Sequence, residues 1–123
     1  EVARYMAAMD VLIMPWNDSE WIKACNPIKL KEYLAVGRPI VTTDFPALGR
    51  YRDLVRVAKG SAGFAAAIRQ ALDEPYDADK ARSSVASEGW DAKAGFLLEN
   101  LVEIAAEVAS GEPSGSILRR SAA

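Results

Sequence analysis

Asn26-Pro27-Ile28-Lys29-Leu30-Lys31-Glu32-Tyr33-Leu34-Ala35-Val36-Gly37-Arg38-Pro39-Ile40-Val41-Thr42-Thr43 reads as a helix and a strand with their junction spelled out. Asn26 suits the N-cap, because its side-chain oxygen accepts from a free backbone N–H. Pro27 suits the first helical position, where no hydrogen bond is lost. Gly37 supplies a left-handed stop, and Pro39 prevents continuation. The strand 39–43 then ends in the turn Asp44-Phe45-Pro46.

Working outward, Val11-Leu12-Ile13-Met14-Pro15-Trp16 is a short, non-alternating apolar run bounded by proline. That pattern predicts a strand covered on both faces, as in a parallel sheet, with neighbours on both sides. Before it, Val2, Tyr5, Met6 and Met9 recur at helical spacing, so the chain opens inside a helix pattern and reads as a piece of something longer. Residues 17–26 are polar and irregular, which predicts a loop at the strand's carboxyl end. A weaker strand is expected at 54–58, interrupted by Arg56. Ser61 is the expected cap of a helix carrying Phe64, Ile68 and Leu72, which Glu74-Pro75 ends. A helix of low hydrophobicity follows over 78–87. The last, 90–109, is the most regular, with Leu97, Leu101, Ile104 and Val108 on one stripe, which suits a core or interface. The tail 111–123 is polar and Gly/Pro/Ser-rich at its start and is expected to be disordered.

The composition narrows the chemistry. The chain has 123 residues, 15 Lys+Arg against 17 Asp+Glu, one Cys and no His. Without histidine this chain holds no Ser-His-Asp triad or imidazole metal site. One cysteine excludes an internal disulfide framework and leans the compartment toward cytosol. A net charge of −2 argues against a dedicated nucleic-acid binder. No apolar run approaches the ~18–20 residues of a membrane span. The length suits one domain and no more.

Alternating helices and strands imply a parallel α/β sheet. Three strands are about half of a doubly wound nucleotide-binding domain, which has about six. Ligands of such sheets bind beyond the carboxyl ends of the strands. Three segments meet there: the loop 16–26 with its helix start, the turn 43–47 and the turn 59–63. At the first, the free N–H groups of the helix opened by Asn26-Pro27, with the Lys29 charge in its first turn, favour a phosphate. Glu32, one turn on, can accept from vicinal ribose hydroxyls. The competing reading is a solvated Lys29–Glu32 surface pair contributing about 0.2–0.5 kcal/mol. Elsewhere, Cys25 reads as inert without histidine, and Gly60-Ser61-Ala62-Gly63 reads as an ordinary helix start more readily than as a phosphate loop. Trp16 and Trp21 suit either stacking on a base or sugar, or packing.

The stretch 27–41 resembles the nucleotide-sugar signature of GT-B glycosyltransferases, in particular the glycosyl transferases group 1 set, many of which read P-x-K-x-x-E-Y-L-A-x-G-x-P-V-V. Met9-Asp10-Val11-Leu12-Ile13-Met14-Pro15 is similar to the family's A-D-V-x-x-x-P strand, and Gly89-Trp90-Asp91-Ala92-Lys93 to its S-W-x-x-R helix start. The resemblance spans 1 to about 110 and implies a fragment: the C-terminal part of a donor-binding Rossmann-like domain, followed by C-terminal helices. It implies that Glu32 is the second glutamate of the E-x7-E motif, on the ribose, and that N–H groups near Ile28 and Lys29 face the diphosphate. The motif's first glutamate falls at Ala24, and Cys25-Asn26-Pro27 replaces Gly-Phe-Gly, a departure at the donor-sugar contacts. Glu20 and Asp18 are the alternative acidic groups there. The substrate implied is a nucleotide-sugar, with no cofactor or metal. The acceptor, a glycan, lipid or small molecule, would be met through an absent N-terminal domain. A cytoplasmic location is implied, with peripheral membrane association an option for the full-length enzyme. Alternatives are a non-catalytic flavodoxin-like or receiver module, phosphorylated at Asp44, and a GT-B epimerase. Self-association of the fragment through strand 11–16 or the last helix is a further expectation.

Overall fold

The computed structural model describes residues 1–110; the expected disordered tail 111–123 lies outside the described residues. Contacts divide the chain into two units, residues 1–86 and the chain from Ser87 onward. The first contains α1 (Val2–Ala7), β1 (Leu12–Met14), α2 (Glu20–Ala24), α3 (Ile28–Val36), β2 (Ile40–Thr42), a 3-10 segment (Pro46–Leu54), β3 (Arg56–Val57), α4 (Gly60–Asp73) and α5 (Ala78–Ser84). The second contains the long α6 (Trp90–Ser110).

The three strands form one parallel sheet in the order β1-β2-β3, with Leu12 opposite Ile40 and Val41 opposite Arg56. Because strand side chains alternate, Leu12, Met14 and Ile40 share one face and Val41 takes the other. On the first face they join Leu30 and Leu34 of α3, Leu48 and Tyr51 of the 3-10 segment, and Ala81 of α5 in one core. On the second, Val41 packs with Ala67 and Ala71 of α4. Helices therefore cover both faces, as the α/β reading requires.

Coverage corrects one expectation. The central strand β2, not β1, is buried at every residue. β1 pairs on one side only among the described residues, and Ile13 is 45% exposed between buried Leu12 and Met14. Ile13 faces the α4 side of the sheet, where α4 packs on β2 and β3. An unpaired edge carrying an exposed isoleucine is the arrangement that invites pairing with another strand.

Two further elements were not legible. Residues 17–26 contain α2, whose N-cap is Ser19: its Oγ accepts from the Ile22 N–H at 3.4 Å. That single turn buries Ile22 in the core. Residues 46–54 form a 3-10 segment broken at Gly49, which seats Leu48 and Tyr51. Helix starts shift as well. Ser61 does not cap α4, which begins at Gly60 without a side-chain cap.

Two arginines close helix ends across the fold. Arg38 donates from Nε and Nη2 to the Ala7 carbonyl at 3.0 and 2.7 Å, and Arg82 donates from Nη2 to Val36 O at 3.1 Å. A guanidinium at the last carbonyls satisfies free acceptors and complements the negative helix end.

Thr42 is the buried polar residue of the sheet, and its Oγ1 lies 3.1 Å from Met14 O and 3.0 Å from Thr43 O. Its one proton links β2 to β1 or to its own strand. Met14 O also accepts from Thr43 N–H at 3.3 Å, so it keeps a partner without the hydroxyl. Thr42→Val is therefore expected to lower stability by about 1 kcal/mol, measured by urea unfolding. A loss above about 3 kcal/mol would mean that the hydroxyl alone holds these strands together.

Candidate functional site

A β-α-β unit with parallel strands starts its helix on the carboxyl side of the first strand. α3 is the long crossover between β1 and β2, so its amino end lies beyond the carboxyl end of β1. The cap differs from expectation by one residue. Pro27, with φ −69° and ψ 119°, occupies the cap position, and Ile28 is the first helical residue. Asn26 is exposed and makes no capping bond, while Pro27 is buried. The proline's extended ψ ends the loop there, so the helical turn begins after it. The Leu30 N–H reaches Pro27 O at 3.2 Å. The N–H groups of Ile28 and Lys29, at the first two helical positions, have no acceptor within the helix.

Lys29 and Glu32 share one face of this first turn, and Lys29 Nζ donates to Glu32 Oε2 at 2.6 Å. Both side chains are well exposed, 51% and 38%. The Glu32 carboxylate raises the Lys29 pKa above its ordinary value, first by the hydrogen bond and then by charge, so the lysine is cationic at neutral pH. The solvated pair is thus what the chain forms without a ligand. The expected site residues Asn26, Pro27, Ile28, Lys29 and Glu32 are contiguous on one helix start. Ala24, at the end of α2, is exposed, and Asp18 and Glu20 pair with Lys23 at 3.5 and 2.7 Å.

The three loops expected at the strand ends do meet. They enclose a crevice of about 920 Å³ lined by Trp16, Lys23, Thr43, Asp44, Arg52 and Lys59 among others. Residues 26–32 do not line it. Sequence reading missed Arg52, which donates from Nη1 and Nη2 to the two Asp44 oxygens at 2.7 and 2.8 Å. That guanidinium holds the Asp44 carboxyl below its ordinary pKa. No period links positions eight apart in an irregular segment, so no sequence signal marks the pair. Trp16 and Trp21 pack at 5.5 Å between ring centroids with a 52° tilt. Trp16 packs against the core, whereas Trp21 is 62% exposed. Cys25 is half-buried against the same core. Among the described residues no cluster of three or more acidic or sulfur side chains is placed to hold a metal ion. None of the described helices is long and apolar enough to cross a membrane.

A three-stranded parallel sheet with helices on both faces places the chain in the α/β class of domain. Residues 1–74 match the family described as glycosyl transferases group 1, and the chain belongs to that family. The match includes the whole 26–43 stretch, while Gly89–Lys93 lies beyond it. The chain is similar to the putative teichuronic acid biosynthesis glycosyltransferase TuaH of Bacillus subtilis (strain 168), with 42% identity over 50 residues. That alignment covers 41% of this chain and 13% of the relative, so the chain matches a small part of that protein. No solved structure matches. Family membership sets aside the receiver reading of Asp44, whose carboxylate is already engaged by Arg52.

Proposed function

We propose that this chain is the C-terminal part of the donor-binding domain of a glycosyltransferase, and that the start of α3 holds the nucleotide-sugar. The observation that carries the proposal is the Lys29–Glu32 pair, a cation and an acceptor one turn apart at the open amino end of α3. A doubly wound sheet binds its ligand where the strand order reverses. In a half-sheet that point borders an edge strand, and β1, which α3 follows, is one of the two edge strands among the described residues.

On donor binding, the N–H groups of Ile28 and Lys29 and the Lys29 ammonium meet the diphosphate. Released from Lys29, the Glu32 carboxylate accepts from the two ribose hydroxyls. Asn26 and Pro27 shape the turn that brings the backbone close. Transfer moves the sugar to an acceptor hydroxyl while the nucleoside diphosphate leaves with the bonding electrons. This chain's share is positioning the donor and stabilising the charge on the departing diphosphate. The acceptor is a glycan, lipid or small molecule met by another domain, and the likeness to a teichuronic acid biosynthesis enzyme favours a polysaccharide. The chain by itself binds and does not transfer.

The test is titration of the full-length enzyme with UDP and GDP as probes. Glu32→Ala is expected to weaken the preferred nucleotide by at least about tenfold, the loss of a hydrogen bond to a charged group. Lys59→Ala, in the neighbouring crevice, is expected to leave affinity unchanged. Wild-type affinity in Glu32→Ala removes the ribose assignment. A loss confined to Lys59→Ala moves the diphosphate into the crevice.

A further inference from the structure

Lys29 stands in the first turn of α3, where the positive end of the helix disfavours a cation and favours an anion. No acidic residue shares that turn. The pair it makes with Glu32 also runs against the helix, since a carboxylate placed amino-terminal to its lysine is the more stabilising order. Helix stability gives little reason for the placement. What the bond does is occupy Glu32. Lys29 Nζ donates to Oε2 at 2.6 Å, whereas a vicinal diol spanning the carboxylate needs Oε1 and Oε2 together. Once an anion reaches the helix start, the ammonium has a second partner there, beside the N–H groups of Ile28 and Lys29.

We propose that Lys29 locks Glu32 until an anion draws the ammonium away, so that the site takes a ribose at full strength only when a phosphate comes with it. The inference rests on the donor reading above and adds a discrimination to it: the site disfavours nucleosides against nucleoside diphosphates by more than the phosphate contacts alone. A nucleoside must open the pair and offers the ammonium nothing in return. A nucleoside diphosphate supplies the replacement partner, so one ligand both opens the pair and compensates it. Its two halves are coupled through a single side chain, and by linkage the coupling is reciprocal. Exposure bounds its size. With side chains 51% and 38% exposed, a pair of this kind shifts affinity by up to about fivefold.

The full-length enzyme is titrated with uridine and UDP, or with guanosine and GDP where that base is preferred. Lys29→Ala is expected to weaken the diphosphate by at least about twofold and to tighten the nucleoside about two- to fivefold. A lysine that only contacts phosphate would leave the nucleoside unchanged, so the opposite signs identify the lock. In the unaltered enzyme, saturating inorganic phosphate is expected to tighten the nucleoside by a similar factor, and in Lys29→Ala to have no such effect. Lys29 is exposed and alanine is the best helix former, so α3, followed by circular dichroism, is expected to persist. The phosphate measurement on the unaltered enzyme needs no variant. Nucleoside affinity that is unchanged or weaker in Lys29→Ala, or indifferent to phosphate in the unaltered enzyme, overturns the lock. The donor reading survives that result if Glu32→Ala still weakens the diphosphate, whereas wild-type affinity in Glu32→Ala removes the ribose assignment and the lock together.

Discussion

Leu34→Ala is expected to destabilise the first unit by about 2–5 kcal/mol, the range for truncating a fully buried leucine. Leu34 is 0% exposed and lies in the core with Leu30, Ile40, Leu12 and Met14. It projects from α3 onto the sheet face that those strand residues form, and α5 packs on the same helix. The lost methyl groups remove transfer free energy, and the void they leave adds a second cost unless neighbours collapse into it. Strands of two or three residues offer little regular pairing to compensate. The control is Leu72→Ala, the same change in α4 at a position 56% exposed, expected to cost well under about 1 kcal/mol. Urea unfolding followed by circular dichroism reads both, as midpoints at a common slope. Equal losses for the two would show that α3 is not anchored through Leu34. Since α3 also carries Lys29 and Glu32, a shifted helix would misplace the proposed donor contacts along with the core.

Gly37→Ala is expected to cost about 2–3 kcal/mol, from two separable causes. Gly37 ends α3 with φ +75°, a left-handed conformation that a Cβ disfavours by about 1–2 kcal/mol. A Cβ there would also meet Cζ, Nε and Nη2 of Arg82 at 2.8 Å. That guanidinium is the group bonded to the Val36 carbonyl, so moving it aside removes that bond and leaves the Gly37 N–H to Tyr33 O bond to close α3. An Arg82→Ala background separates the causes, because it removes the guanidinium and leaves the left-handed backbone of Gly37 in place. Thermal melts read the difference. In an Arg82→Ala background, Gly37→Ala is expected to cost about 1 kcal/mol less than alone, the coupling that a double-mutant cycle isolates. An uncoupled pair would assign the whole cost to backbone conformation.

Both predictions fall on the 26–43 stretch, where local signals were dense. Apolar spacing marked α1, α4 and α6, and Pro27 and Gly37 marked the two ends of α3, because helical period and end signals are properties of neighbouring residues. The charged helix start was legible for the same reason: Lys29 and Glu32 are one turn apart wherever α3 is placed. Motif order along the chain carried the family. What stayed hidden depended on distant partners. Ile22 makes α2 worth forming only when a core is present to receive it, and Leu48 and Tyr51 do the same for the irregular 46–54 segment. The Arg52 bond to Asp44 and the Arg82 bond to Val36 join segments that no period relates.

The sequence by itself determined an α/β chain, the turn on which Lys29 and Glu32 meet, and an apolar seam on the last helix. The tertiary structure alone decided which strand is enclosed, that β1 stands at the edge with Ile13 exposed, and that the strand-end crevice excludes residues 26–32. The division has a physical cause. Spacing and caps are fixed within a few residues of chain, whereas burial is fixed by whichever distant element arrives to cover a face.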